Sequence, residues 1–349
     1  MAYTTIDNPE LYFQTKLYTG TGSSHAITLD GSENMQPDWV WIKSRTDSAH
    51  HALFDAVRGA TKALYSNQTD SETTVSGHLT AFGSDGFTLG DNSGKGNTNE
   101  NNKNYVAWNW LANGTGSSNS DGTITSSVSA NTTAGFSIVK FTASGSGNQT
   151  TGHGLGATPQ VVIVKHLSDT GNWQVYFEGI GTANQQYLKL NATSAVTNIS
   201  GLWGAGMTSS LIGIGINVAV TAGEDCIAYC FAEKKGYSKF GSYTGNGNAD
   251  GPFVYTGFRP AWVLQKNVDA TQGWQLQDNK RLGYNPDNYL LQPHTNQAES
   301  ALQRVDLLSN GFKVRTTDAG QNSSGTTYIY IAFAESPFVN SNGVPNNAR

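Results

Sequence analysis

The carboxylates that could serve paired acid–base chemistry are Asp30, Glu33, Asp47, Asp55, Asp85, Glu178, Asp278 and Glu335. Retaining glycoside hydrolysis needs two of them about 5 to 5.5 Å apart. Nothing in their spacing brings any pair that close, and Glu233 and Glu335 simply end two matching strands. The seven histidines (25, 50, 51, 78, 153, 166 and 294) form no HExxH and no metal-ligand spacing, and His50-His51 reads as a surface pair. Ser, His and Asp occur without a GxSxG elbow. The glycine clusters TGTG and TGNG precede neither a helix nor GK[ST], so they read as hairpin turns and not phosphate cradles. Cys226 and Cys230 face one side of a strand about 13 Å apart, too far for a mutual disulfide. They read as two buried thiols, because a zinc site would need partners that no His or Cys nearby in the chain supplies. These residues assign no catalytic, cofactor or metal site.

Saccharide recognition is better supported, because it combines an aromatic platform with Asn, Asp and amide hydrogen bonds. Trp173, Trp203, Trp274, Tyr284 and Tyr289 lie outside the central strand motifs. Trp274 with Asp278, Lys280, Arg281 and Asn285 makes the most suggestive loop cluster, and Trp203 suits an interface. The competing reading makes Trp173 and Trp274 shared core anchors, since each follows its repeat lysine by eight residues. The polar loop 91–104 offers oxygens for calcium but lacks the EF-hand ligand order, so it reads as a solvated loop.

The elements that must position these residues repeat three times. PDWVWIK (37–43), PQVVIVK (159–165) and PAWVLQK (260–266) each follow a Gly-rich turn. Each leads, 68, 67 and 68 residues beyond its proline, to an aromatic-rich strand: YVAWNWLA, CIAYCFAE and YIYIAFAE. Lys43, Lys165 and Lys266 match one another, as do Asp55, Phe177 and Asp278. Such periodicity predicts an all-β chain of three repeated β-sandwich-like, jelly-roll-like domains of about 100 residues. The expected boundaries are 1–115, a Ser/Thr/Gly-rich linker or arm at 116–134 that can add an edge strand, 135–236, and 237–349 with a short polar tail. HHALFDAVRGATKAL (50–64) suits a short helix or an ordered loop, and SDGFTLG and SNGFKVR predict hairpins with Gly one residue before Phe. Gln265 occupies an apolar slot, which predicts a less deeply buried third strand. IGIGINV (212–218) replaces the SDGF or SNGF motif and weakens the hairpin expected in the second repeat. Repeated positions serve the shared fold; function belongs where the repeats differ.

Charged residues make up only 13% of the 349 residues, and the net charge is −5. With no basic stripe, nucleic-acid binding has no electrostatic footprint. No stretch approaches 18 apolar residues and the N-terminus lacks a signal-peptide pattern, so neither membrane insertion nor classical export is expected.

The stretch CIAYCFAEKKGYSKFGSYTGNGNADGPFVYTGFRPAWVLQK (226–266) resembles a family of repeated β-domains in structural proteins of tailed bacteriophages, many of them marine. LSNGFK, YIYIAFAE followed by PFV, PDWVWIKSR, LFDAVRG, SDGFTLG and GHGLGATPQVVIVK extend the resemblance over nearly the whole chain. It implies a virion protein on the particle exterior whose partners are other virion proteins, and it brings no catalytic residues and no cofactor. The expected role is a non-enzymatic tail-fibre or appendage component, a homo-oligomer touching host-surface polysaccharide through Trp274, Asp278, Arg281, Asn285 or Trp203. A capsid decoration protein is the alternative, and a glycan-degrading enzyme the third.

Overall fold

A computed structural model describes residues 3–347 apart from 146, 216, 217, 219, 220, 283, 284 and 286. The chain is all-β: antiparallel strands joined by turns, with one short 3-10 turn at Pro9–Leu11. Among the described residues no helix is long and apolar enough to cross a membrane.

Each third of the chain contributes one large sheet built in the same order. In the first, Phe13–Thr19 pairs with Asn104–Trp110, which pairs with Trp39–Ser44 and then Ala52–Asp55. The second repeats this with Phe136–Thr142, Asp225–Phe231, Val161–His166 and Gln174–Phe177. The third uses Ser238–Thr244, Thr327–Pro337, Phe258–Asn267 and Gln275–Asp278. The aromatic-rich strand is therefore central in every sheet. Being covered on both faces, it reads as a near-continuous apolar run instead of alternating with polar residues.

Alternate residues of these strands point to different cores. Val40, Ile42, Tyr105 and Ala107 face a cluster confined to the first third of the chain, and the second and third thirds have clusters of their own. The opposite faces meet in one core drawn from all three units. Registers arrange that core in layers: Trp39 opposite Trp110, Val161 opposite Phe231 and Trp262 opposite Phe333, then Trp41 opposite Trp108, Ile163 opposite Tyr229 and Leu264 opposite Ile331. Ring contacts join every pair of units: Trp39 on Tyr229 at 4.5 Å, Phe231 on Phe333 at 5.8 Å, and Trp110 on Trp262 at 5.7 Å. Phe333 alone meets the rings of Phe13, Trp110, Phe231, Tyr237, Phe240 and Trp262. Phe333→Ala is therefore expected to cost about 3–5 kcal/mol in urea unfolding. A loss below about 1 kcal/mol would mean that the units do not depend on this common core.

Several expectations change in the structure. Residues 50–64 form no helix: they are strands Ala52–Asp55 and Lys62–Tyr65 around a turn, and the first lies in a buried sheet position that overrides helix propensity. Much of 116–134 joins the second sheet as Ser117–Asn119 and Ser126–Asn131, because the Thr/Ser/Val run pairs with Phe136–Thr142. Gln265 is fully buried, its amide satisfied by the Tyr243 hydroxyl at 2.9 Å and by Gln321 at 2.5 Å. Ile212 and Ile214 of IGIGINV are buried in a strand, Leu211–Gly215, that pairs with Asn148–Gly152. The two SxGF hairpins form, with Gly83 opposite Gly86 and Leu308 opposite Gly311. Gly86 has φ 109°, and a side chain at Gly86 or Gly311 would collide with the Ile27 or Val254 carbonyl of the neighbouring strand.

Candidate functional site

Two of the polar residues singled out by sequence, Asp278 and Arg281, lie at a joint between units. Asp278 is buried at the end of its strand, and its carboxylate holds Arg281 Nε at 2.6 Å and accepts the Trp108 indole N–H at 3.0 Å. Arg281 also reaches Glu299 at 3.0 Å and the Leu276 carbonyl at 3.0 Å, and its guanidinium lies 6.0 Å from the Trp108 ring centre. The first unit repeats the arrangement. Arg58 Nε donates to Asp55, other guanidinium nitrogens donate to Glu72 and the Leu53 carbonyl, and the Tyr229 hydroxyl donates to Asp55 at 2.8 Å. Burial alone would lower the Arg58 pKa, but the charges of Asp55, Tyr229 and Glu72 hold it above its ordinary value.

In the second unit the matching residues are Phe177, Ile180 and Val196, all packed on the shared core, and the partner from the third unit is Ile331. The direction is cyclic: unit one reaches unit three, unit two reaches unit one, and unit three reaches unit two. Backbone bonds follow one rule as well, from Glu72 N to Leu167 O, Val196 N to Val268 O and Glu299 N to Arg45 O. Arg45 completes the last joint through Glu299 at 2.9 Å.

The tryptophans belong to the same joints. The Trp173 indole donates to the Tyr65 carbonyl and that of Trp274 to the Lys189 carbonyl, each at 2.9 Å. His51, at the matching place in unit one, stands against the Gln292 backbone and accepts the Trp41 indole N–H at 3.0 Å. Trp274 and Trp203 are both 0% exposed. Neither offers a face to a sugar, which corrects the aromatic-platform expectation: the recurrence of Trp at one spacing marks a packing anchor. Trp203 is enclosed within unit two, its indole on the Gln186 carbonyl at 2.9 Å. Asp278 and Arg281 are likewise closed to solvent, and half-buried Asn285 spends its amide on the Leu307 backbone. The structure thus brings Trp274, Asp278 and Arg281 into the joints, and leaves Trp203 and Asn285 elsewhere. Tyr284 lies outside the described residues.

Three buried lysines close one end of the common core. Lys165 Nζ donates to the carbonyls of His166 and, across the joint, Thr69; Lys266 Nζ donates to those of Asn267 and Thr193; Lys43 Nζ donates to those of Ser44 and Asp47. Burial lowers Lys43 to about 7 and Lys165 and Lys266 to about 8.

Loop 91–104 is pinned rather than freely solvated. Buried Asn99 donates to the Ser23 and Gly90 carbonyls, and its side-chain oxygen accepts the Thr21 N–H. Asn322 does the same for the TGNG turn of unit three.

Among the described residues, the most exposed large aromatic side chains lie on an edge strand, Phe253–Tyr255, that the sequence reading does not single out as a site. It pairs on one side with Gly311–Val314, and Phe253 and Tyr255 are 47% and 53% exposed. Tyr3 lies beside them with its hydroxyl 3.2 Å from that of Tyr255, donating to the Gly257 carbonyl at 2.7 Å, while Lys235 Nζ sits 4.6 Å from its ring centre. Alternation was the available signal: in FVY only Val254 is buried, between exposed Phe253 and Tyr255.

Asp55, Glu72, Asp278 and Glu299 are all engaged by arginines. Asp38, whose pKa burial raises, is sealed under Gln36 and the Ala112 backbone.

No curated protein and no solved structure matches this chain. A family model described as a domain of unknown function, DUF7483, matches residues 8–337, and the chain belongs to that family.

Proposed function

We propose that this chain is a non-enzymatic accessory structural protein of a tailed-phage virion, part of a tail fibre or similar appendage that touches host-surface glycan. Each repeat is read as a β-sandwich of jelly-roll type, with a large sheet toward the common core and a smaller sheet outside. The observation that carries the proposal is the cyclic joining of three repeats around one aromatic core. It spends the chain's buried polar chemistry on holding a stiff block together. The resemblance of residues 226–266 and the matching motifs to repeated virion β-domains supplies the context.

The contact surface is the exposed edge of Phe253 and Tyr255, with Tyr3 and the polar loop around Asp250 beside it. Aromatic faces stack on the apolar face of a pyranose while neighbouring polar groups bond its hydroxyls. Several copies on one particle would raise a weak single contact to useful avidity. The double variant Phe253→Ala/Tyr255→Ala is expected to fold normally, because neither side chain supports a core. Binding to immobilised host polysaccharide should fall about tenfold. Unchanged polysaccharide binding, with the same variant losing attachment to heads, would favour the decoration reading, in which this edge seats on the capsid shell.

A further inference from the structure

We propose that the second unit carries a divalent transition-metal site of zinc type, formed by His166 Nδ1, the Glu224 carboxylate and Cys226 Sγ. Their ligand atoms lie within 4.8 Å of one another. His166 and Cys226 face each other across paired strands, and Glu224 closes the turn just before Cys226. A nitrogen, an oxygen and a sulfur donor are zinc-type ligands, and tetrahedral binding would part Nδ1 and the Glu224 oxygen from 2.7 Å to about 3.3 Å and leave one place for water or a fourth ligand. Glu224 also lines an open cleft with Ser168, Asp169, Thr221 and Gly223, which gives the ion a way in.

Comparison of the three units singles out this corner. At the positions of His166, Glu224 and Cys226, unit one has Ser44, Lys103 and Tyr105, and unit three has Asn267, Thr326 and Tyr328. There the tyrosines stack on a second tyrosine, Tyr105 on Tyr18 and Tyr328 on Tyr243, and their hydroxyls bond the loop backbone. Unit two has Phe141 and Cys226 in place of the tyrosine pair. All three positions thus change together, to three metal-binding side chains, at the one corner where the tyrosine network is missing.

Hydrogen bonding around His166 points the same way. Its Nε2 lies 2.5 Å from the Val218 carbonyl, so Nε2 carries the proton. Nδ1 then presents its lone pair toward Glu224 Oε1 at 2.7 Å. Without an ion, that contact requires a second proton between Nδ1 and the carboxylate; a divalent cation replaces it. A ring nitrogen anchored on a backbone carbonyl while the other faces a cation is the usual support of a ligating histidine. Burial pushes the Cys226 thiol well above its ordinary pKa, so metal binding must also displace the thiol proton.

The test is cobalt and zinc titration of the intact purified chain. Wild-type protein should take up one Co²⁺ per chain with a thiolate-to-cobalt charge-transfer band, and Zn²⁺ should abolish the band. Cys226→Ser should remove the band, and His166→Asn, which installs the unit-three residue, should weaken binding about tenfold or more. Cys230→Ser should leave both unchanged, since Cys230 lies outside the cluster. Absence of a thiolate band in folded wild-type protein at saturating Co²⁺ would overturn the proposal, whatever the variants do. So would equal affinity of wild type and His166→Asn.

Discussion

Asp278→Ala should destabilise the chain by about 3–5 kcal/mol, the cost of breaking a buried ion pair by removing one partner. The loss leaves the buried Arg281 guanidinium with Glu299 and the Leu276 carbonyl but one carboxylate short, and takes the acceptor from the Trp108 indole N–H. The chain contains its own control, because unit two builds the equivalent joint from Phe177, Ile180, Val196 and Ile331. Copying that solution, with Asp278→Phe, Arg281→Ile, Glu299→Val, Trp108→Ile and Arg45→Val together, should cost less than Asp278→Ala alone, since no charge is left unpaired. Urea unfolding of both variants decides it. If Asp278→Ala costs less than about 1 kcal/mol, the joint does not hold the units together.

Stability should rise with pH from about 4 to about 9. The unfolded chain keeps its lysines protonated up to about 10.4, whereas burial lets folded Lys43, Lys165 and Lys266 release protons near 7 to 8. Over that interval unfolding takes up protons, so raising the pH favours the folded state, by roughly 3–5 kcal/mol per lysine. Histidines extend the trend to acid. Burial lowers His78 and His294 to about 4 and holds His51 well below its usual range. Acidification below about 6.5 therefore protonates these histidines in the unfolded chain first and weakens the fold. Above about 9 the sign reverses, because burial raises the Cys226 and Cys230 thiols and the Tyr229, Tyr237 and Tyr243 hydroxyls, and the unfolded chain ionises these groups before the folded one. Lys165→Met should lower the slope between pH 8 and 10 by about one proton. A stability profile that is level or falling from about pH 7 to 8.5 would contradict the assignment.

Strand identity and repetition were legible because backbone period and turn chemistry are local. PDWVWIK, PQVVIVK and PAWVLQK announce strands, and the matched lysines mark one position in three sheets. Burial was harder to read. Trp274 beside charged residues looks like a sugar platform in one dimension, yet its indole closes a joint to Lys189, 85 residues earlier in the chain. The buried triads left a trace that spacing exposes, Asp55 with Arg58 and Asp278 with Arg281 at i, i+3. Their aromatic partners come from other units, which no local pattern encodes. His166 and Cys226 show the same limit: they are 60 residues apart in sequence and neighbours across two strands. Phe253 and Tyr255 stand out only once the partner strand fixes which face of the edge is solvated.

The central claim is a structural place in the virion, and the most direct measurement is the copy number and position of the chain on intact particles. Quantitative mass spectrometry of purified virions, with labelled-antibody electron microscopy, supplies both. The account predicts a few to a few dozen copies at the tail. Hundreds of copies spread over the head would contradict the appendage reading and make this a decoration protein, and absence from particles would contradict the virion role itself.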